Sequence, residues 1–155
     1  MRNVERLRWS DYFLDMCDTV ATKSKDPSTK VGAVITVDNY IVMTGYNGFA
    51  PGAVENDELW SRPTKYDHVI HAEANAIANA ARRGNAIADG TLYCNLLPCL
   101  ACARLVAASG ITKVVYDLGR TALYNNKAIH QQHETLTYLE GADVEVFGHA
   151  RAEHS

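Results

Sequence analysis

Two short segments constrain this chain more than any others, His71-Ala72-Glu73 and Pro98-Cys99-Leu100-Ala101-Cys102. One imidazole and two thiols are the side-chain types that hold zinc, and a carboxylate follows the imidazole closely. A structural zinc asks for four protein ligands. Three ligands plus a nearby acid leave one position for water with a proton carrier beside it, which reads as a hydrolytic metal site. Each half alone is ambiguous, because a C-x-x-C also serves as a redox pair and a lone His is more often a satisfied core residue. Context joins them: His71 opens an alanine-rich helical run, a short strand follows, and both Cys stand at the head of a second helix. Pro98 suits that helix entry. Thiols in a first helical turn face unpaired N–H groups and the positive end of the dipole, which favours the thiolate that zinc needs.

The 155 residues make one domain, 1–155, of ordinary globular composition, 47% apolar and 21% charged. A formal charge of −3 supplies no basic field for a long nucleic acid, although one phosphate needs only a local cation. There is no apolar run that would span a bilayer and no signal peptide, so we expect no membrane partner and a cytoplasmic location. Cys17, on a helical apolar face, and Cys94, in a strand, are expected to be small buried hydrophobes, not a disulfide.

Apolar periodicity predicts a helix from Ser10, its N-cap, to about Ser24, then a strand over Val31–Val37. Asp38-Asn39 turns the chain into a second strand, Tyr40–Gly45, forming a hairpin. Residues 49–69 read as a long connection of weak periodicity, and such loops are usually functional. Beyond it we expect helices from His71 to Arg83, Cys99 to Ser109 and Asn126 to Glu140, each stopped by a glycine. They alternate with strands at Thr91–Asn95, Lys113–Tyr116 and Val144–Phe147, and the tail from Gly148 is expected to be frayed. A hairpin followed by this alternation predicts an α/β three-layer α/β/α sandwich on a mixed five-stranded sheet, the last two strands parallel.

H-x-E…P-C-x-x-C is the signature of zinc-dependent nucleobase deaminases. With Ser24-Lys25-Asp26-Pro27-Ser28-Thr29-Lys30-Val31-Gly32-Ala33, Gly45-Tyr46-Asn47-Gly48, the long insert and His71-Ala72-Glu73-Ala74-Asn75-Ala76-Ile77, the chain resembles the cytidine deaminase superfamily. Within it, the chain resembles the deoxycytidylate (dCMP) deaminase family most closely. The resemblance covers about the first 147 residues and implies a cytidine deaminase-like fold and hydrolysis of dCMP, or a 5-substituted dCMP, to dUMP and ammonia. It also implies a homohexamer regulated by dCTP and dTTP, with Mg2+ accompanying the triphosphate. The insert offers no Cys and only His68, so one zinc is expected. Tyr116-Asp117-Leu118-Gly119-Arg120 departs from cellular dCMP deaminases and looks more like the Tyr-Asp of polynucleotide cytidine deaminases.

By this resemblance His71, Cys99 and Cys102 hold zinc, and Glu73 moves protons from water to pyrimidine N3 and to the departing amino group. Backbone at Ala72 and Cys99 would meet the base edge. Asn47 would contact sugar or base, or else serve as a turn asparagine. Tyr116 is a stacking residue or a half-buried strand tyrosine. Lys25, Lys30 and Arg120 are phosphate candidates or solvated charges. Tyr46, Asn47 and Gly48 stand where an effector binds in the family, and Arg82 matches a subunit-interface position or is an exposed helix-end cation. The competing functions are a polynucleotide deaminase, acting on tRNA adenosine or single-stranded cytosine, and a non-catalytic zinc domain that binds nucleotides as a regulator.

Overall fold

The computed structural model describes residues 6–124 and 129–151. Helix α1 (Trp9–Ala21) turns Phe13, Leu14 and Cys17 to one side, the stripe that a period of 3.6 residues dictates. Ser10 is not its cap. Arg8 takes that position without a side-chain bond to the helix backbone, its Nε donating instead to the Asp11 carboxylate at 3.0 Å. The helix stops short of Ser24, whose hydroxyl donates to the Asn47 carbonyl at 2.8 Å and accepts from Asp26 N–H at 3.2 Å.

Strands β1 (Gly32–Val37) and β2 (Tyr40–Tyr46) form the expected hairpin. Asp38 and Asn39 turn it with φ of 52° and 63°, the left-handed pair that a two-residue hairpin demands. The short helix α2 (Lys65–His68) lies within the insert and precedes α3 (Ala72–Arg83), β3 (Thr91–Cys94) and α4 (Leu100–Ala108). Beyond them lie β4 (Lys113–Asp117), α5 (Leu118–Leu123), α6 (Ile129–Gly141) and β5 (Glu145–His149). The expected start of α6 at Asn126 lies outside the described residues.

Sheet order is β2-β1-β3-β4-β5, with β1 antiparallel to β2 and β3, and β3, β4 and β5 mutually parallel. This is the mixed five-stranded sheet that the alternation of elements predicted. Its two faces carry separate cores. Phe13, Leu14 and Cys17 pack on Val34, Tyr93 and Val115 on one side. Ala76 of α3, Val106 of α4 and Leu139 of α6 pack on Ile35, Leu92 and Val114 on the other. Each fully buried Leu, Ile or Phe contributes roughly 1.5–3 kcal/mol. Among the described residues, no helix is long and apolar enough to cross a membrane.

Two helices escaped the sequence reading. The first, α2, stands in the insert, which is clamped by an isolated bridge between Gly48 and Ile70 and by the rings of Phe49 and Trp60, 4.9 Å apart. The second, α5, is capped by Asp117, whose carboxylate accepts from Arg120 N–H at 3.0 Å. The tail differs too. Gly148 and His149 continue β5, His149 Nε2 lies 2.8 Å from Asp11 Oδ1, and Arg151 pairs with Asp15, Asp18 and Asp117.

Gly45 sets how closely α3 lies on β2, because a Cβ there would stand 2.4 Å from Ala76 N and 2.5 Å from Ala72 O. Gly45→Ala is therefore expected to push α3 off the sheet and lower the unfolding free energy by about 3 kcal/mol, read from urea denaturation.

Candidate active site

The heads of two helices meet beside the end of β3. His71 is the N-cap residue of α3 and Cys99 that of α4, both in extended conformation, and Cys102 lies in the first turn of α4. His71 Nδ1 stands 3.4 Å from Cys99 Sγ and 3.5 Å from Cys102 Sγ. Tetrahedral zinc with N at about 2.05 Å and S at about 2.3 Å separates such ligands by about 3.6 Å. The donor set thus fits zinc in chemistry and in spacing. Among the described residues, this cluster of possible metal ligands consists of these three, their ligand atoms all within 4.8 Å of one another.

Charge within the cluster points the same way. The Cys102 S–H beside it holds the Cys99 thiol down to about 4, against burial and with help from His71. Cys102, which keeps the shared proton, is pushed well up. His71 is raised by its bond to Cys99, despite burial. Two sulfurs this close ionise together only with a cation between them.

Glu73, 4% exposed, occupies the first turn of α3. Its Oε1 accepts from Cys94 Sγ at 2.8 Å. Cys17 and Cys94 are both buried and unbridged, as expected, but Cys94 makes a polar contact that a mere hydrophobe would not.

A cleft opens from this cluster. Ala72, Leu96 and Leu97 line it near His71, Glu73 and Cys99, Asp26, Thr29 and Asn47 form a second wall, and Arg62, Lys65 and Tyr66 of the insert a third. Tyr124, after α5, also lines it. Asn47 is both structural and on the wall. Its Nδ2 donates to Thr29 O at 2.9 Å and to Asp26 Oδ2 at 3.4 Å, while Oδ1 accepts from Val31 N–H at 2.9 Å. One lone pair of Oδ1 remains.

Other candidates lie elsewhere. Lys25 is drawn off by Glu55, 3.2 Å away, into a separate depression beside Trp60. Tyr116 is absent from the lining residues of the cleft and directs its hydroxyl toward Gly148 of β5. Arg120 bonds the Lys30 carbonyl at 2.8 Å and Asp18 at 3.5 Å. Tyr46, about 40% exposed, and Gly48 flank Asn47, and Arg82 is exposed at the end of α3. Sequence reasoning missed Arg62, Lys65, Tyr66 and Tyr124. The signal for the first three was a basic and aromatic cluster just ahead of His71.

A mixed sheet between helix layers, with a His/Cys/Cys donor set at two helix heads, defines the class of cytidine deaminase-like zinc proteins. The family described as "Cytidine and deoxycytidylate deaminase zinc-binding region" matches residues 7–118, and the chain belongs to it. It is 40% identical over 124 residues to a probable deoxycytidylate deaminase of Drosophila melanogaster, covering 72% of this chain and 60% of that one. It is 37% identical to the deoxycytidylate deaminase of Mycobacterium phage D29, covering 73% and 97%. A dCMP deaminase of cyanophage S-TIM5, solved with dCMP and dUMP, shares the fold at a TM-score of 0.73 and 23% identity, covering 94% of this chain and 100% of that one. The chain spans 60–65% of the length of several curated animal relatives it matches.

The insert is moored by Lys65, whose Nζ lies 3.2 Å from both oxygens of Asp26 with both side chains buried. Burial works to raise the Asp26 carboxyl, but the N–H groups of Ser28 and Thr29, with Lys65, outweigh it and hold it below its ordinary 3.8. Its stabilisation is therefore complete above pH 3.8 and lost as pH falls through the depressed folded value. Lys65→Met, which strands a buried carboxylate, is expected to cost about 3 kcal/mol at pH 7 in urea melts and progressively less as acid protonates Asp26.

Proposed function

We propose that this chain is a zinc-dependent deaminase that hydrolyses dCMP to dUMP and ammonia. What carries the reading is the donor set His71, Cys99 and Cys102, spaced for zinc beside the buried Glu73, in a chain of this family. Those three residues would hold the metal. When bound, zinc would supply a Lewis acid there, lowering the pKa of water toward neutrality.

Glu73 takes the proton from the attacking water and delivers it to N3, which makes C4 electrophilic. It passes the second proton to the amino group. The water oxygen adds to C4 as N3 takes the first proton; the second proton comes from that same oxygen, and the C4–N bond breaks as the C4=O bond completes, releasing ammonia. Backbone at Ala72 and Cys99 faces the base edge, and the spare lone pair of Asn47 Oδ1 accepts from a sugar hydroxyl. Tyr66 and Tyr124 line the cleft and take the stacking part first given to Tyr116.

Arg62 is the phosphate anchor in this reading. Lys65 is already engaged by Asp26, and Lys25 by Glu55. Among the described residues, Arg62 lines the cleft with neither a hydrogen bond nor an ion pair to another residue. A guanidinium also matches a phosphate in shape. Assembly into a homo-oligomer through a face including Arg82, and an effector site at Tyr46, Asn47 and Gly48, belong to the same proposal by family membership, supported by the exposure of Tyr46 and Arg82.

The test is ammonia release from dCMP, deoxycytidine, a tRNA and a single-stranded oligonucleotide, with zinc counted per chain. One zinc and turnover of dCMP are expected, with Glu73→Gln keeping the metal and losing about 10²–10⁴ in kcat. Turnover of the polynucleotides alone would favour the second reading, which the Tyr116-Asp117 pair suggests. A Glu73→Gln protein of undiminished biological effect would favour a regulator. Arg62→Gln is expected to raise KM for dCMP about tenfold or more, a charged hydrogen bond of about 1.5–3 kcal/mol, and to leave deoxycytidine kinetics unchanged.

A further inference from the structure

The geometry points to Cys94 as a positioning residue for Glu73: its S–H, donated to Oε1, fixes the carboxylate against the sheet. The inference rests on the deaminase reading above, in which Glu73 is the proton carrier.

The contact is short, 2.8 Å from sulfur to oxygen, and both partners are buried. A buried carboxylate needs donors, since an unpaired oxygen keeps the whole penalty of leaving water. A Glu side chain also has rotamer freedom that must be removed before it can carry protons along a fixed path. Cys94 is well placed to remove it. It sits on β3 with a bonded strand on each side, opposite Ala33 of β1 and Tyr116 of β4. It packs in the core shared by α3 and α4, with Ala72 and Ala76.

The thiol stays a donor. Burial, and next the charge of Glu73, push Cys94 well above the ordinary thiol range, so it remains S–H at neutral pH. Cys102 also lies against Glu73 but is a ligand of the proposed zinc, and a ligating sulfur has no proton to donate. Within this pair of sulfurs, the structural role falls to Cys94 and the metal role to Cys102.

The test compares Cys94→Ala and Cys94→Ser in the zinc-loaded protein. Cys94→Ala is expected to lower kcat for dCMP about tenfold, with KM within about twofold and with zinc content and dUMP binding retained. Cys94→Ser restores a donor and is expected to recover kcat to within about threefold of the unaltered chain. If a cavity unfolds the Ala variant, Cys94→Val keeps the volume without the donor and takes its place. An apolar variant at full kcat, or equal losses for the apolar and Ser variants, would overturn the inference. A second readout needs no turnover. The infrared S–H band of Cys94, read with Cys17→Ala, should lie at the lowered frequency of a thiol bonded to a carboxylate and rise on Glu73→Ala. An unshifted band overturns the contact. If the unaltered chain fails to deaminate dCMP, the function falls, while the band still decides whether Cys94 holds Glu73.

Discussion

One nitrogen and two sulfurs, with N···S separations of 3.4 and 3.5 Å, repel once both thiols ionise, so the scaffold must hold them close against that force. It does so by anchoring the segment between β3 and α4. Asn95, fully buried, accepts from Gly32 N–H at 3.1 Å and donates to Asp18 at 3.3 Å, linking the end of β3 to β1 and α1. Leu97 N–H donates to Thr121 of α5 at 3.2 Å. The segment that carries Pro98 and Cys99 is thus fixed from two layers before any metal arrives. His71 is delivered separately, by α3 lying on β2 at a distance only glycine at position 45 allows.

The same anchoring explains the order of the chain's end. Asp18, which receives Asn95, also meets Arg120 and Arg151, and Arg151 reaches on to Asp15 and Asp117. Asp117 is in turn the cap of α5, whose Thr121 holds Leu97. A guanidinium with five donors can serve several carboxylates at once, so one residue past β5 bridges three acids from two elements, α1 and β4. The route from Arg151 to the Cys99 segment is a chain of packed polar contacts, each partly shielded from water and so stronger than a surface pair.

Much of this was legible in the sequence because it repeats with a period or sits in a local motif. The hairpin turn at Asp38-Asn39, the glycine stops after α3 and α4, and the His/Cys/Cys set all announce themselves within a few residues. What was not legible depends on partners far along the chain. Lys25 and Lys65 look alike in the sequence; Glu55 takes one away from the cleft and Asp26 buries the other on its wall. Tyr116 could be read as a stacking ring or a strand tyrosine, and only β5, extending past it to His149, decides where its hydroxyl lies. Cys94 looked apolar because a strand position alone does not say which helix residue will face it. Helix α5 was hidden because six residues are too few to show an apolar period and its first turn carries Gly119, so its start rests on one capping aspartate.

The insert bears most directly on the proposed size of the substrate. A strand of nucleic acid would need several free cations along its path, since each phosphate neutralised contributes its own share of affinity. Residues 49–69 bring Arg62 and Lys65 to the cleft, yet Lys65 is neutralised by Asp26 and buried. Among the described residues that line the cleft, that leaves the Arg62 guanidinium, the charge of a single phosphate. The insert is moored to the rest of the fold by the Lys65–Asp26 pair and the Gly48–Ile70 bridge, so the third wall is built with the first two and does not wait for a ligand. A cleft lined by the donor set and a single unpaired guanidinium favours a ligand with one base, one sugar and one phosphate, which is the physical argument for a mononucleotide over a polynucleotide here.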